Sequence, residues 1–174
     1  SRTPITPPLL PSNTVQWRFH SCPAKSKWLA VIALLIPILV QATPEYFITP
    51  VFTSGTEGYH TYRIPAITRS SEGSLLAFAE GRKTSSSDAG DIDIVLKRST
   101  DNGATWGNLI LVQEEENSAS ITIGNPAPVL DVSTGHIHML FCRENSKVYH
   151  TKSTDDGLTW SSRTEITASV KLPS

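Results

Sequence analysis

The chain has 174 residues, of which 39% are hydrophobic, 7% aromatic and 18% charged, and its formal net charge is −1. This balance excludes a polybasic nucleic-acid-binding protein, a wholly disordered acidic chain and a polytopic membrane protein. The length suffices for one domain of ordinary size with its own core. Because the only methionine is Met139, we expect the chain to be a fragment of a longer protein.

The beginning of the chain differs in charge from the rest. Residues 1–42 contain four basic residues and no acid, whereas residues 43–174 contain 11 basic and 16 acidic residues. An apolar run of 13 residues, 28–40, follows Lys25 and Lys27. Its length matches the hydrophobic core of a signal peptide and falls short of the ~20 apolar residues that cross a bilayer.

Two interpretations of this apolar run remain open. Val40-Gln41-Ala42 offers the small residues that a signal peptidase requires, which favours a cleaved signal peptide behind an unstructured upstream extension. The alternative is a retained signal anchor at 28–40, whereas Pro37 argues against a buried core helix. We therefore expect a secreted or lumenal, including lysosomal, protein, with membrane anchoring through 28–40 as the alternative.

From residue 45 onward the chain is predicted to form short strands. Alternating or β-branched runs, each bounded by Gly, Pro, Asn, Asp or Ser, indicate half-buried strands joined by turns. In one of them Ile92, Ile94 and Leu96 share a face. No stretch keeps a helical period for three turns, so we predict an all-β fold. The predicted strands are 61–67, 74–79, 92–98, 109–113, 127–130, 136–143 and 148–152.

A repeat organises these strands. Residues 99–106 and 153–160 share the pattern Ser-Thr-Asp-x-Gly-x-Thr-Trp, 54 positions apart. The pattern predicts a tight turn in which the Asp carboxylate accepts backbone hydrogen bonds, Gly takes a positive φ and Trp returns to the hydrophobic layer. One such turn about every 50 residues is typical of β-propeller blades. The residues with these structural roles are Asp101, Gly103, Trp106, Asp155, Gly157 and Trp160.

These two segments match the Asp-box, also called the bacterial neuraminidase repeat. Tyr62-Arg63-Ile64-Pro65 is similar to the motif that opens the catalytic domain of sialidases, and Phe78-Ala-Glu80-Gly-Arg82 resembles the segment that follows it. Gly124-Asn125-Pro126-Ala-Pro128 resembles a later loop of the same pocket. The resemblance runs from about residue 46 to 160. It implies that residues 43–174 form the first two or so blades of a six-bladed sialidase propeller.

Arg63 precedes a proline, which restricts its neighbour to extended geometry and ends or bends the strand. Sialic acid carries a carboxylate on its anomeric carbon, and a guanidinium binds a carboxylate through two parallel hydrogen bonds. The resemblance implies that Arg63 is the first of three arginines that bind this carboxylate. Without the motif, a surface salt bridge would be the preferred explanation of Arg63.

Asp88 lies in a loop of small residues, where the resemblance places the catalytic acid/base of the family. Such an acid protonates the leaving oxygen and then activates water. An aspartate titrates near pH 4, so it needs desolvation by substrate and loop to act near neutrality. Asp91 and Asp93 compete for this role, and a solvated loop acid or an Asx-turn is the structural alternative.

Three further residues of the same segments complete the expected site. The resemblance implies that Arg82 contacts the ligand and that Asn125 binds the sugar, although many members carry Asp at the position of Asn125. Asn125 could instead be only a turn residue. Glu80 could orient a neighbouring arginine or merely pair with it. His136 and His138 alternate on one strand face, but no third metal ligand accompanies them.

The resemblance implies an exo-α-sialidase that hydrolyses terminal α-linked sialic acid with retention, through a tyrosine nucleophile activated by a glutamate. That pair and the other two arginines belong to later blades, so we expect the 174 residues alone to be inactive and poorly soluble. We expect sialylated glycans as partners, no nucleic acid, no cofactor and no metal; oligomeric state stays unassigned. A non-catalytic Asp-box propeller and a sialyl-transferring enzyme remain alternatives.

Overall fold

The computed structural model describes residues 48–115 and 120–172. The upstream extension and apolar segment predicted within residues 1–42 lie outside this range. Among the described residues, no helix has the length and apolar composition that crossing a membrane requires.

The first sheet is an antiparallel meander of four strands, which we call the first blade. Each strand pairs with the next along the chain, so the spatial order follows the sequence order. Gly73, with φ of 91°, lies in the turn between the first two strands, a conformation that glycine adopts without steric cost. The strands are β1 (Thr61–Arg69), β2 (Leu75–Arg82), β3 (Ile92–Ser99) and β4 (Ile110–Gln113).

The second sheet repeats this arrangement and is called the second blade. Its four strands again form an antiparallel meander in sequence order, and a single helical turn follows. The elements are β5 (Ile123–Leu130), β6 (Ile137–Arg143), β7 (Lys147–Ser153), β8 (Thr164–Glu165) and α1 (Thr167–Val170).

The predicted all-β fold is confirmed, because each of the seven predicted strands corresponds to one of β1–β7. The sequence did not predict β8, which has only two exposed residues and therefore shows no hydrophobic alternation. The predicted start of β5 was four residues late. Its first half contains Gly124-Asn125-Pro126, a sequence that turn chemistry favours over a strand.

Unlike faces of the two blades meet in one hydrophobic core. Leu75 in the first blade and Ile137 in the second hold the same register, since they pair with the first serine of their own Asp-box. Leu75 and Ile137 are therefore equivalent positions of the two blades. The core contains Ile137 itself, but in the first blade it contains Leu76, which lies on the opposite face of the sheet from Leu75. The buried side chains of this core include Leu76, Phe78, Ile94, Leu96, Ile137, Met139 and Phe141.

The other face of the first blade is covered by the segment that precedes β1. Tyr59 forms a second buried cluster there with Ala79 and Val95. A Cβ on Gly81 would lie 2.6 Å from the Tyr59 ring, so the ring packs directly on the backbone of β2. This contact explains why a glycine separates Glu80 from Arg82 in the sequence.

The two Asp-box turns have the same hydrogen bonds. Asp101 Oδ1 accepts from Thr105 N at 2.9 Å, and Asp155 Oδ1 accepts from Thr159 N at 2.9 Å. The hydrogen bond from the Thr105 hydroxyl, together with its backbone N–H, lowers the pKa of Asp101 to about 2. Burial alone would raise the pKa of Asp155, but the hydrogen bonds from Thr159 outweigh it and lower that pKa.

The first serine of each box is a further anchor of the turn. Ser99 Oγ accepts from Gly103 N at 2.8 Å, and Ser153 Oγ accepts from Gly157 N at 2.9 Å. Gly103 and Gly157 have φ of 87° and 82°, which is the left-handed region that favours glycine.

The second Asp-box also contacts the first blade. Asp156 forms an ion pair with Arg98, and its Oδ2 accepts from Ser74 Oγ at 2.6 Å. Trp160 packs edge-on against Phe78, with the ring centroids 5.8 Å apart. The second box therefore links the two blades in addition to closing its own turn.

Candidate functional site

The candidate site begins where the core between the blades ends. Successive residues of a strand alternate between its faces, so the face of β2 that supplies Leu76 and Phe78 continues with Glu80 and Arg82. These two charged side chains are nevertheless buried, with 3% and 2% of their surfaces exposed. Buried charges require partners. This pair finds them in loop 83–91 and β5, and β1 adds Arg63 to the site through Asp88.

The first segment is β1, in which a bulge sets the position of Arg63. The register between β1 and β2 shifts between Arg63 and Ala66, so two residues of β1 oppose one of β2. Ile64, inside this bulge, has φ of 51°, which is strained for a β-branched residue. Arg63 pairs with Glu80 across the ladder and therefore lies on the same face as Glu80 and Arg82.

The second segment is loop 83–91, and Arg82 organises it. Its Nη1 donates to the carbonyls of Ser86 and Ser87 at 2.6 and 2.7 Å. Its Nη2 lies 2.8 Å from Asp88 Oδ1 and 2.7 Å from Glu80 Oε2. Burial would lower the pKa of Arg82, but the hydrogen bonds to Glu80 and Asp88 outweigh it and raise that pKa.

Asp88 is shared by two arginines. Its Oδ1 also lies 2.9 Å from Arg63 Nη1, and the two side chains are 76% and 45% exposed. The hydrogen bond from Arg82 and the positive charge of Arg63 lower the pKa of Asp88. The loop alone therefore does not supply the desolvation that a general acid near neutrality needs. The two guanidinium groups therefore favour the ionised form of Asp88.

Asp91 and Asp93, the competing candidates for the acid, have a different environment. Lys83 Nζ lies 3.1 Å from Asp91 Oδ1 and 3.1 Å from Asp93 Oδ2, and Tyr59 donates to Asp93 Oδ2 at 2.8 Å. Burial raises the pKa of Asp93 and also that of Tyr59. This cluster joins the two ends of loop 83–91, so these carboxylates anchor the loop that presents Asp88.

The third segment is β5, which carries Asn125. Its backbone N donates to Glu80 Oε1 at 2.9 Å, and its side-chain Nδ2 donates to Asn145 Oδ1 at 2.8 Å. Asn125 has φ of 58° and precedes Pro126 in a bulge like that of β1, because the register shifts between Gly124 and Ala127. Asn125 thus reaches the site through its backbone, while its amide is bonded to the β6–β7 turn.

The structure brings Arg63, Arg82 and Asp88 into direct contact and attaches Asn125 through Glu80. Sequence reasoning left Glu80 open between two roles and did not identify Lys83. The available signal for Lys83 was its position beside Arg82, with two aspartates eight and ten residues later. The sequence spacing does not itself show a contact, because Lys83 meets these aspartates only when β2 pairs with β3.

The histidines of the second blade lie in β6, β7 and the turn before β6, apart from these contacts. His138 Nδ1 lies 2.8 Å from His150 Nε2, so one imidazole hydrogen-bonds to the other. Within 48–115 and 120–172, no group of three or more His, Cys, Asp or Glu side chains is arranged to hold a metal ion.

The fold consists of two antiparallel four-stranded blades, each with an Asp-box between its last two strands. Together with the Arg–Asp–Arg site at the blade junction, this fold defines a propeller of the sialidase class. Residues 73–173 match the family model described as a BNR repeat-like domain. The chain belongs to this BNR-repeat family of sialidase-type β-propellers.

Three relatives illustrate the similarity. The chain is 35% identical over 153 residues to a sialidase of Micromonospora viridifaciens, covering 77% of this chain and 24% of that protein. It is 34% identical over 140 residues to an exo-alpha-sialidase of Aspergillus fumigatus, covering 63% and 34%. Its structure is similar to that of a Hadza microbial sialidase, with a TM-score of 0.65, 30% identity and coverage of 71% and 29%. The chain therefore spans about a quarter to a third of these relatives, and the predicted partial propeller is confirmed.

Proposed function

We propose that the full-length protein is an exo-α-sialidase that removes terminal α-linked sialic acid from glycoconjugates with retention of configuration. The observation that carries this proposal is the contact of Asp88 with both Arg63 and Arg82 at the junction of the blades. The sialidase relatives support it at the level of the family.

Arg63 is proposed to bind the substrate carboxylate. It is half exposed, and its charge persists at any working pH. The Asp88 carboxylate on Arg63 Nη1 shows that a carboxylate oxygen fits beside this guanidinium. A sialic acid carboxylate is the chemically equivalent ligand, and it would compete with Asp88 for the same donor.

Asp88 is proposed to be the general acid and base. Substrate on Arg63 removes one positive partner from Asp88, and the sugar covers the exposed carboxyl; both effects raise its pKa. The protonated carboxyl then gives its proton to the leaving glycosidic oxygen. The resulting carboxylate later takes a proton from the water that releases the sugar.

The remaining groups are proposed from the family resemblance. Arg82 holds the loop of Asp88 beside the ligand, and Asn125 borders the pocket from the second blade. The tyrosine nucleophile, its glutamate and two further arginines are assigned to no residue of this chain. Their chemistry belongs to the full-length protein.

The test is hydrolysis of a fluorogenic aryl α-sialoside by the full-length protein. Arg63→Ala should lower kcat/KM by at least about 10²-fold, and Asp88→Ala should lower it by at least about tenfold. The matched controls Arg69→Ala, an exposed arginine of the same strand, and Glu72→Ala, an exposed acid of the β1–β2 turn, should leave it unchanged. Undiminished activity of both site variants would refute the assignment. Sialoside binding without turnover by the wild type would indicate a non-catalytic propeller.

A further inference from the structure

We propose that Glu80 is a positioning residue that joins Arg82, and through it the loop of Asp88, to the second blade. The inference rests on the proposed function, since it concerns the residue that holds the acid. Glu80 is not itself proposed to touch substrate.

Both carboxylate oxygens of Glu80 are used, and they point to different blades. Oε2 accepts from Arg82 Nε at 3.2 Å and from Arg82 Nη2 at 2.7 Å. Oε1 accepts from the backbone N of Asn125 at 2.9 Å. Glu80 is therefore a buried hydrogen-bonded connection between β2 of the first blade and β5 of the second.

The backbone of β5 is shaped to admit this carboxylate. A Cβ on Gly124 would lie 2.4 Å from Glu80 Oε1 and 3.1 Å from Glu80 Cδ. Such a contact is too short for any side chain, so Gly124 leaves the space that Glu80 fills. A salt bridge to Arg82 alone would not require a glycine on another strand.

The charge of Glu80 also acts on Asp88. Arg82 lies between the two carboxylates, and Arg63 contacts Asp88 from β1. The facing residue of β3 is the apolar Ile94, and β5 presents a backbone N–H. The ion cluster of Lys83 belongs to the opposite face of β2. Glu80 therefore neutralises much of the Arg82 charge that would otherwise act on Asp88.

Loss of the negative charge of Glu80 should lower the pKa of Asp88. In Glu80→Gln, the full positive charge of Arg82 acts on Asp88 and favours its ionised form. The pKa of Asp88 falls, so the protonated acid is lost at lower pH. A fall of one unit lowers the protonated fraction about tenfold on the alkaline side. The alkaline limb of the kcat profile should therefore move to lower pH.

The experiment compares wild type and Glu80→Gln in the full-length protein. On an alkyl-linked sialyl-oligosaccharide, whose leaving group needs protonation, we expect an alkaline limb displaced to lower pH and a fall in kcat of about tenfold near neutrality, with a smaller change in KM. An unchanged pH profile, with only a lower Tm or a smaller active fraction, would show a merely structural role and overturn the inference.

A second measurement does not depend on turnover. Titration of the Asp88 carboxyl by ¹³C NMR should give a lower pKa in Glu80→Gln than in wild type, and equal values would overturn the inference. An inactive wild type with the expected NMR shift would instead refute the proposed function alone. Gly124→Ala should displace Glu80 and lower kcat, whereas the matched control Gly107→Ala should not, because its Cβ would meet only Arg98 O at 3.5 Å.

Discussion

Asp88 pairs with Arg63, with Oδ1 of the acid 2.9 Å from Nη1 of the arginine. The proposed acid and the proposed carboxylate-binding group thus form an ion pair with each other. Under the proposed function, substrate binding and activation of the acid are coupled, because a substrate carboxylate that binds Arg63 displaces Asp88.

Removal of Asp88 should affect substrates according to their leaving groups. Asp88→Ala should lower kcat/KM for an alkyl-linked sialyl-oligosaccharide by about 10²–10⁴-fold, since its alkoxide needs protonation to leave. An aryl sialoside should lose less, because a phenolate is a better leaving group. Steady-state kinetics on the two substrates measures the difference. Equal losses would contradict a role as general acid.

The Asp-boxes should contribute a pH-dependent stability. The folded-state pKa of Asp101 is about 2, below the ordinary value of 3.8. Its stabilisation is therefore complete above about pH 4 and is lost as pH falls towards 2. The difference in Tm between wild type and Asp101→Asn should be largest above pH 4 and should narrow towards pH 2. A constant difference would show that the carboxylate charge is irrelevant, and Asp155→Asn provides the replicate.

The contribution of the Asp156–Arg98 ion pair to the free energy of unfolding can be measured with two variants at equivalent positions of the two Asp-boxes. Asp156 and Asn102 follow the aspartate of their boxes with φ of 61° and 58°, so alanine meets equal backbone strain at both. Asp156→Ala also removes the carboxylate that pairs with Arg98 Nη2 and accepts from Ser74 Oγ, while Arg98 Nε keeps its hydrogen bond to the backbone carbonyl of residue 156. It should cost about 1–3 kcal/mol more than Asn102→Ala. Denaturant unfolding of the full-length protein compares them. Equal losses would mean that the contact adds nothing.

The two bulges allow a reciprocal exchange. Ile64 and Asn125 each precede a proline with φ near 50–60°, but only asparagine tolerates this region well. Ile64→Asn should raise the free energy of unfolding by about 1 kcal/mol, and Asn125→Ile should lower it by about 1–2 kcal/mol. Thermal unfolding tests both signs. A destabilised Ile64→Asn would show that the Ile64 side chain contributes packing that outweighs its strain.

Local patterns in the sequence predicted much of the fold. The strands of the first blade follow alternation that depends on neighbouring residues only, and the Asp-box turns depend on eight consecutive residues. β8 was not predicted because its two exposed residues show no hydrophobic alternation. The start of β5 was not predicted because Asn125-Pro126 is a sequence typical of turns, although it lies in the bulge of a strand.

The sequence predicted that Arg63, Arg82 and Asp88 lie together, and their contacts agree with that grouping. Arg63, Arg82 and Asp88 come from two strands and a loop of one blade, and the motif order alone indicated their grouping. The bond from Asn125 N to Glu80 depends on how one blade stacks on the next. No local pattern encodes that stacking, so the use of both Glu80 oxygens and the reason for Gly124 became visible only in three dimensions.

The meeting of unlike faces between the blades has a consequence for assembly. The contact is heterologous, like a head-to-tail interface between subunits, because the face of Leu76 meets the opposite face of its neighbour. A dimer with two-fold symmetry cannot bury both faces of such an interface, because each added blade leaves one apolar face exposed to solvent. Repetition must either close into a ring or continue as a fibre. Covalent linkage of successive blades makes closure intramolecular, which favours the ring over the fibre as long as the protein concentration stays below the effective concentration of the linked blades.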